Sequence, residues 1–148
     1  MLAIICCAML SATPEQEAAT KSYWIGLNDV IHGFNKSVNS KPSEAPKEIK
    51  KAIAKIRSMS TKNVDSLVIM YSERRMKLAM DYADFLEKTK FGSEEVFFRA
   101  DYSIKEHRKK LDGMQEKFQT LVERHWNMDA EQEVVVAYLR EKYGLDIK

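Results

Sequence analysis

Between Ser60 and Trp126, apolar residues recur at three- and four-residue steps in two long runs that meet at Phe91-Gly92. That period is the signature of helices that must bury one face, and it constrains the fold more than any other feature of the chain. In the first run, Val64, Leu67, Tyr71, Leu78, Tyr82 and Phe85 form a stripe that Val68, Met70 and Leu86 widen. Glu73, Arg74, Lys77, Asp84, Glu87 and Lys88 fall opposite, a mixed-sign set suited to water. Gly92 and Ser93 then interrupt the pattern. Ser93 is a good N-cap, and Glu94 and Glu95 follow it where a helix dipole favours negative charge. The second run, Phe97, Ala100, Ile104, Leu111, Met114, Phe118, Leu121 and Val122, predicts a helix of about thirty residues, roughly 45 Å long at 1.5 Å per residue. With so short a join, the two helices are expected to pack antiparallel.

The flanking segments carry their own start and stop signals. Thr13-Pro14-Glu15-Gln16 reads as a capping box with proline at the first helical position. The helix it opens has Tyr23, Leu27, Val30 or Ile31, Phe34 and Val38 on one face and ends in Asn39-Ser40-Lys41-Pro42-Ser43. Gly26 and Gly33, seven apart, border that face and predict the close approach of another helix. Pro46 opens a shorter helix with Ile49, Ile53, Ile56 and Met59 on one side and Lys47, Lys50, Lys51, Lys55 and Arg57 around it. Asn127-Met128 interrupts the later pattern, and Asp129-Ala130-Glu131-Gln132 offers a second capping box for a last helix containing Val134, Val135, Ala137, Tyr138 and Leu139. Gly144 suits the position just past its end, with Leu145 as the apolar contact beyond.

These readings predict an all-α fold, an antiparallel helical bundle of four to five helices built around a long central helical hairpin. At 148 residues, with 31% charged and 45% hydrophobic residues, five Gly and three Pro, the composition suits a single helical domain. A net charge of +2 gives no reason to expect a polyanion partner.

Residues 1–12 read as a secretory signal peptide and 13–148 as one bundle domain. The uncharged run from Leu2 to Leu10 is too short to span a bilayer and matches the apolar region of such a leader. Two features depart from the pattern: no basic residue precedes the run, and Leu10 takes the place of a small residue three positions before a cut after Ala12. Lipidation fits less well, since Ile5 precedes Cys6 and Cys6 precedes Cys7. Cys6 and Cys7 are the chain's two cysteines, so a chain beginning at Thr13 has no thiol. The expected location is secreted or periplasmic, with the cytoplasm as the alternative.

The sequence carries none of the familiar catalytic or cofactor strings. A di-iron bundle needs Glu-x-x-His on two helices, and Lys105-Glu106-His107 and Glu123-Arg124-His125 have the wrong spacing. His-Glu-x-x-His, Cys-x-x-Cys-His, Gly-x-Ser-x-Gly and phosphate-cradling glycine loops do not occur. His107 and His125 lie on or beside the buried line of the second long helix. Either suits a core-edge histidine better than an axial haem ligand opposite Met70 or Met80. His32 is expected to be partly exposed. The carboxylate pairs Asp81/Asp84 and Glu94/Glu95 sit where solvation accounts for them.

The chain therefore reads as a non-enzymatic exported bundle with no cofactor and no metal. It is expected to act by binding another protein, as an inhibitor, an immunity-type protein or an adaptor does. Trp24, Phe98, Tyr102 and Trp126 are the candidate contact residues, because aromatics lying off the main stripes anchor interfaces. Two alternatives stand beside this: a haem- or metal-carrying bundle using His107 or His125, and a membrane-surface protein acting through Lys47, Lys50, Lys51, Lys55 and Arg57 of segment 46–59. The second lacks a Trp or Phe anchor, and its isoleucine face is what a bundle core needs. Nucleic acid is not an expected partner, since no aromatic-interleaved basic groove appears.

Overall fold

A computed structural model of the chain describes residues 12–39, 45–91, 93, 96 and 105–147. They are all-helical: α1 spans Pro14–Asn39, α2 Ala45–Arg57, α3 Ser66–Thr89 and α4 Lys105–Tyr143. Among the described residues no helix is long and apolar enough to cross a membrane.

The first helix begins as its sequence dictates. The Thr13 amide donates to Gln16 Oε1 at 3.0 Å, and the Gln16 amide donates back to Thr13 Oγ1 at 3.2 Å. Two otherwise unsatisfied donors are thereby closed. Tyr23, Leu27, Val30, Ile31 and Phe34 are buried along its inner face.

Against α1 lies α2, with Ile49, Ile53 and Ile56 fully buried. A Cβ added to Gly26 would sit 3.2 Å from Met59 Sδ and 3.3 Å from Ile56 Cγ1, tighter than ordinary contact, so the expected close approach occurs there. At Gly33 the nearest atom, Ile49 Cγ1, is 3.6 Å away, an ordinary contact. Exposed ion pairs border the seam: Lys50 with Asp84 at 2.8 Å and with Glu87, and Lys55 with Asp29 at 2.8 Å. Each is worth at most about 1 kcal/mol. Burying each isoleucine is worth about 1.5–3 kcal/mol. The apolar face, not the lysines, docks this helix.

The third helix is capped by Asp65, whose Oδ1 accepts from the Leu67 amide at 2.9 Å. It ends at a left-handed Lys90 (φ 52°), whose N–H donates to the Leu86 carbonyl at 2.8 Å. The stop therefore comes before Gly92. Lys90 accepts the strained conformation because Phe91 immediately beyond it is buried against Phe85 and Phe118, with ring centroids 5.8 and 4.8 Å away.

The largest departure from the sequence reading is α4. Asn127-Met128 does not break the helix and Asp129 does not cap a new one; a single 39-residue helix runs through both. An Asn in a helix interior costs well under about 1 kcal/mol relative to Ala. Around it, His125, Met128, Asp129 and Gln132 are all hydrogen-bonded to α3, which outweighs that cost. The partners show that α3 and α4 run in opposite directions: Tyr71 meets Gln132, Arg75 meets Asp129, and Tyr82 packs on Phe118. Met70 at 65% and Val134 at 68%, both assigned to apolar faces, are instead exposed, as is Ala137. On this pairing the buried line of α4 runs through Leu121, His125, Val135 and Leu139, leaving Val134 turned away.

Gly144 (φ 63°) ends α4 as expected, its N–H donating to the Arg140 carbonyl at 2.9 Å, and Leu145 is buried. Asp65 then joins three elements. Its Oδ2 accepts from Lys142 Nζ at 2.8 Å and from the hydroxyls of Tyr138 at 2.9 Å and Tyr143 at 2.7 Å, while its amide donates to Thr20 Oγ1 at 3.0 Å. Burial alone would raise this carboxyl. The bonds from Lys142, Tyr143, the Leu67 amide and Tyr138 outweigh it and hold the group below the usual carboxylate range.

Gly113 offers a clean test of helix propensity. It is exposed within α4, and a Cβ there meets nothing within 4 Å. Gly113→Ala is expected to stabilise the protein by about 1 kcal/mol, raising the thermal midpoint by about 2–4 °C in a circular-dichroism melt. An unchanged or lower midpoint contradicts this placement.

Candidate functional site

Polar side chains converge at the seam of α1, α3 and α4 around Arg75, which is 2% exposed. Its Nε donates to Tyr71 Oη at 2.6 Å, one terminal nitrogen to His125 Nδ1 at 3.2 Å and to the His125 carbonyl at 2.9 Å, and the other to Asp129 Oδ1 at 2.6 Å and Gln132 Oε1 at 3.1 Å. A guanidinium only donates, so His125 Nδ1 must accept and the ring proton sits on Nε2. Nε2 accordingly donates to Asn35 Oδ1 at 2.9 Å. The ring lies flat against Phe34, with centroids 3.9 Å apart and planes 2° from parallel. Burial first, and the Arg75 cation second, lower His125 to about 4 against a smaller opposing effect of Asp129, so the imidazole is neutral at pH 7.

This cluster braces three helices. Both imidazole nitrogens are engaged, Nδ1 with Arg75 and Nε2 with Asn35, so in this arrangement neither presents a free lone pair to the axial position weighed from the sequence. His107 is exposed in the first turn of α4. Among the described residues no group of three or more His, Cys, Asp or Glu is placed to hold a metal ion. Arg75 itself was missed in the sequence. It stood four residues after Tyr71 and three before Leu78, a charge on the buried line, and that register was the available signal.

Beside the cluster, α1, α4 and the C-terminal residues enclose an open groove of 480 Å³. Asn35, Asp129, Gln132, Glu133 and Arg140 supply its polar wall, and Ile31, Val136 and Ile147 its apolar one. Glu133, Ala137 and Arg140 also border the outer face of α4. On that face Trp126, Ala130, Val134 and Ala137 follow one another at four, four and three residues and therefore share one side of the helix. Trp126 is 55% and Val134 68% exposed, and both alanines are exposed.

The candidate contact residues separate accordingly. Trp24 is fully buried, stacked on Tyr71 with centroids 5.9 Å apart, and cannot belong to a surface patch. It lies three residues before Leu27 and one after Tyr23, on the stripe rather than beside it. Its Nε1 has no hydrogen-bond partner among the described residues, a cost of about 1–3 kcal/mol that burial of the ring offsets. Phe98 and Tyr102 lie outside the described residues. Trp126 alone of the four is on the surface the structure describes. Of the basic set, Lys50 and Lys55 are engaged in ion pairs with α3 and α1, while Lys47, Lys51 and Arg57 are exposed. With their isoleucines in the core, these cations have no apolar face to lay on a membrane. No family model, no curated protein and no solved structure matches the chain.

Proposed function

We propose that this protein acts by binding another protein through the outer face of α4, in an inhibitor, immunity-type or adaptor role, without catalysis of its own. The observation that carries the reading is the exposure of Trp126 and Val134 on one side of a helix whose other side is, from Leu121 onward, buried in the core. Buried apolar residues are accounted for by packing; a half-exposed Trp and an exposed Val about two turns apart on one side of a helix have no such account, and Trp is among the residues most enriched as interface anchors. The adjoining groove adds a concave wall into which a partner side chain fits.

In this reading the scaffold is an antiparallel bundle of four to five helices, four of which lie within the described residues. Export is part of the proposal as well, supported by the uncharged run Leu2–Leu10 directly upstream of the Thr13 capping box.

The test is affinity capture with the 148-residue chain as bait beside Trp126→Ala and Val134→Glu baits. A protein retained by the native chain, lost by both variants and re-bound when purified supports the reading. Because both sites are exposed, the variants should keep the native thermal midpoint within about 1 kcal/mol of stability. Capture that is indifferent to both substitutions sinks the assignment of this face.

A further inference from the structure

Around Trp126, from Glu116 to Glu141, charge on the outer face of α4 is mostly negative. Glu116 and Glu123 stand fourteen and seven residues before Ala130 on the same line, Glu133 borders Trp126 two turns on, and Glu141 follows Val134 by two turns, so all four share the face of Trp126. Each is exposed, and none forms an ion pair with a described residue. The neighbouring acids behave differently, Glu131 pairing with Arg74 at 2.7 Å and Asp129 with Arg75 at 2.6 Å. From Glu116 onward, Arg140 at the groove edge is the base closest to this line, while Arg124 and Lys142 lie round toward α3 and Asp65; the exposed Lys105, Arg108 and Lys109 continue the same side only toward the start of α4, Lys109 two turns before Glu116. In a chain of net charge +2 this concentration of unpaired carboxylates around an exposed Trp is a local arrangement rather than a reflection of composition.

Resting on the protein-binding reading, we infer that the occupant of this face is a basic amphipathic helix of the partner. Its apolar side covers Trp126, Ala130, Val134 and Ala137, and its Lys or Arg residues meet Glu123, Glu133 and Glu141. Opposite charges across such a contact accelerate encounter and set partner choice, while like charges are rejected. Glu123 to Glu141 spans about 27 Å, the length of a partner helix of five turns. An anionic membrane surface, by the same electrostatics, is repelled from this face.

The probe is a labelled Leu/Lys amphipathic peptide of about 18 residues, its Leu/Glu counterpart serving as control. Binding is followed by anisotropy and by the emission of Trp126, the exposed Trp of the pair. The Lys peptide is expected to bind in a salt-sensitive manner and to shift Trp126 emission to the blue. Trp126→Ala and Glu123→Lys/Glu133→Lys are each expected to weaken it on the order of tenfold or more. Glu17→Lys/Glu73→Lys, the same net change elsewhere, should leave binding within about twofold. Equal weakening by both double variants, or equal binding of the Glu peptide, overturns the inference. So does a Trp126-dependent dimer in light scattering, which identifies a second copy as the occupant. If the captured partner meets this face through an acidic or neutral segment, protein binding stands and the basic helix does not. If no capture depends on Trp126 at all, both fall.

Discussion

Arg75→Ala is expected to destabilise the protein by about 3–5 kcal/mol, lowering the thermal midpoint by roughly 10 °C. A fully buried side chain disappears, so a cavity opens between α3 and α4. Tyr71 Oη, His125 Nδ1 and the His125 carbonyl lose the Arg75 donor in a place water does not reach freely, at about 1–3 kcal/mol for a stranded polar group, while Gln132 Oε1 keeps the Tyr71 hydroxyl. Asp129, by contrast, is half exposed and regains water, which keeps the loss from growing further. Arg75→Lys should recover little, because a single ammonium cannot reach acceptors spread around a planar fork. Chemical denaturation of the two variants, with Asp129→Asn in a double-mutant cycle, measures this. A loss below about 1 kcal/mol for Arg75→Ala shows that the cluster does not hold the helices together.

The second large effect is with pH. His125 titrates near 6.5 when the chain is unfolded and near 4 when folded, so between those values the unfolded chain binds the extra proton. Stability is therefore full above about pH 6.5 and declines as pH falls, by about 1.4 kcal/mol per unit in mid-window and on the order of 3 kcal/mol by pH 4. Below that, this group contributes no further loss. Asp65 acts in a lower window, since its depressed carboxyl supports the fold above its ordinary range and fails only as pH drops through the folded value. Denaturation midpoints from pH 7 to 4 should show the slope, and His125→Gln, less stable at pH 7, should flatten it. An equally steep slope in that variant refutes the assignment to His125.

The Arg75 cluster also explains where the sequence could be read and where it could not. Helix starts written in adjacent residues were legible: Thr13 and Gln16 close their capping box, Gly144 takes the left-handed turn, and the Ile49, Ile53 and Ile56 stripe is buried. The break at Asn127-Met128 was misread because its cost is a fraction of a kcal/mol, and contacts with Tyr71 and Arg75, more than fifty residues away, decide it. The same misreading hid the outer face of α4, since Trp126 and Val134 align only when the two segments are one helix. Trp24 was displaced by a narrow stripe: a helix gripped from two sides, by α2 and α3, buries a broader arc than periodicity alone suggests.

Local physics, then, settled helix content, the capped ends and the absence of recognisable catalytic strings, because each depends on residues within a turn or two of one another. Tertiary structure decided that α4 is continuous, that His125 is locked between Asn35 and Arg75, and which aromatic faces water. Those outcomes depend on partners from other helices, and pairing across the chain leaves no local trace in composition or period.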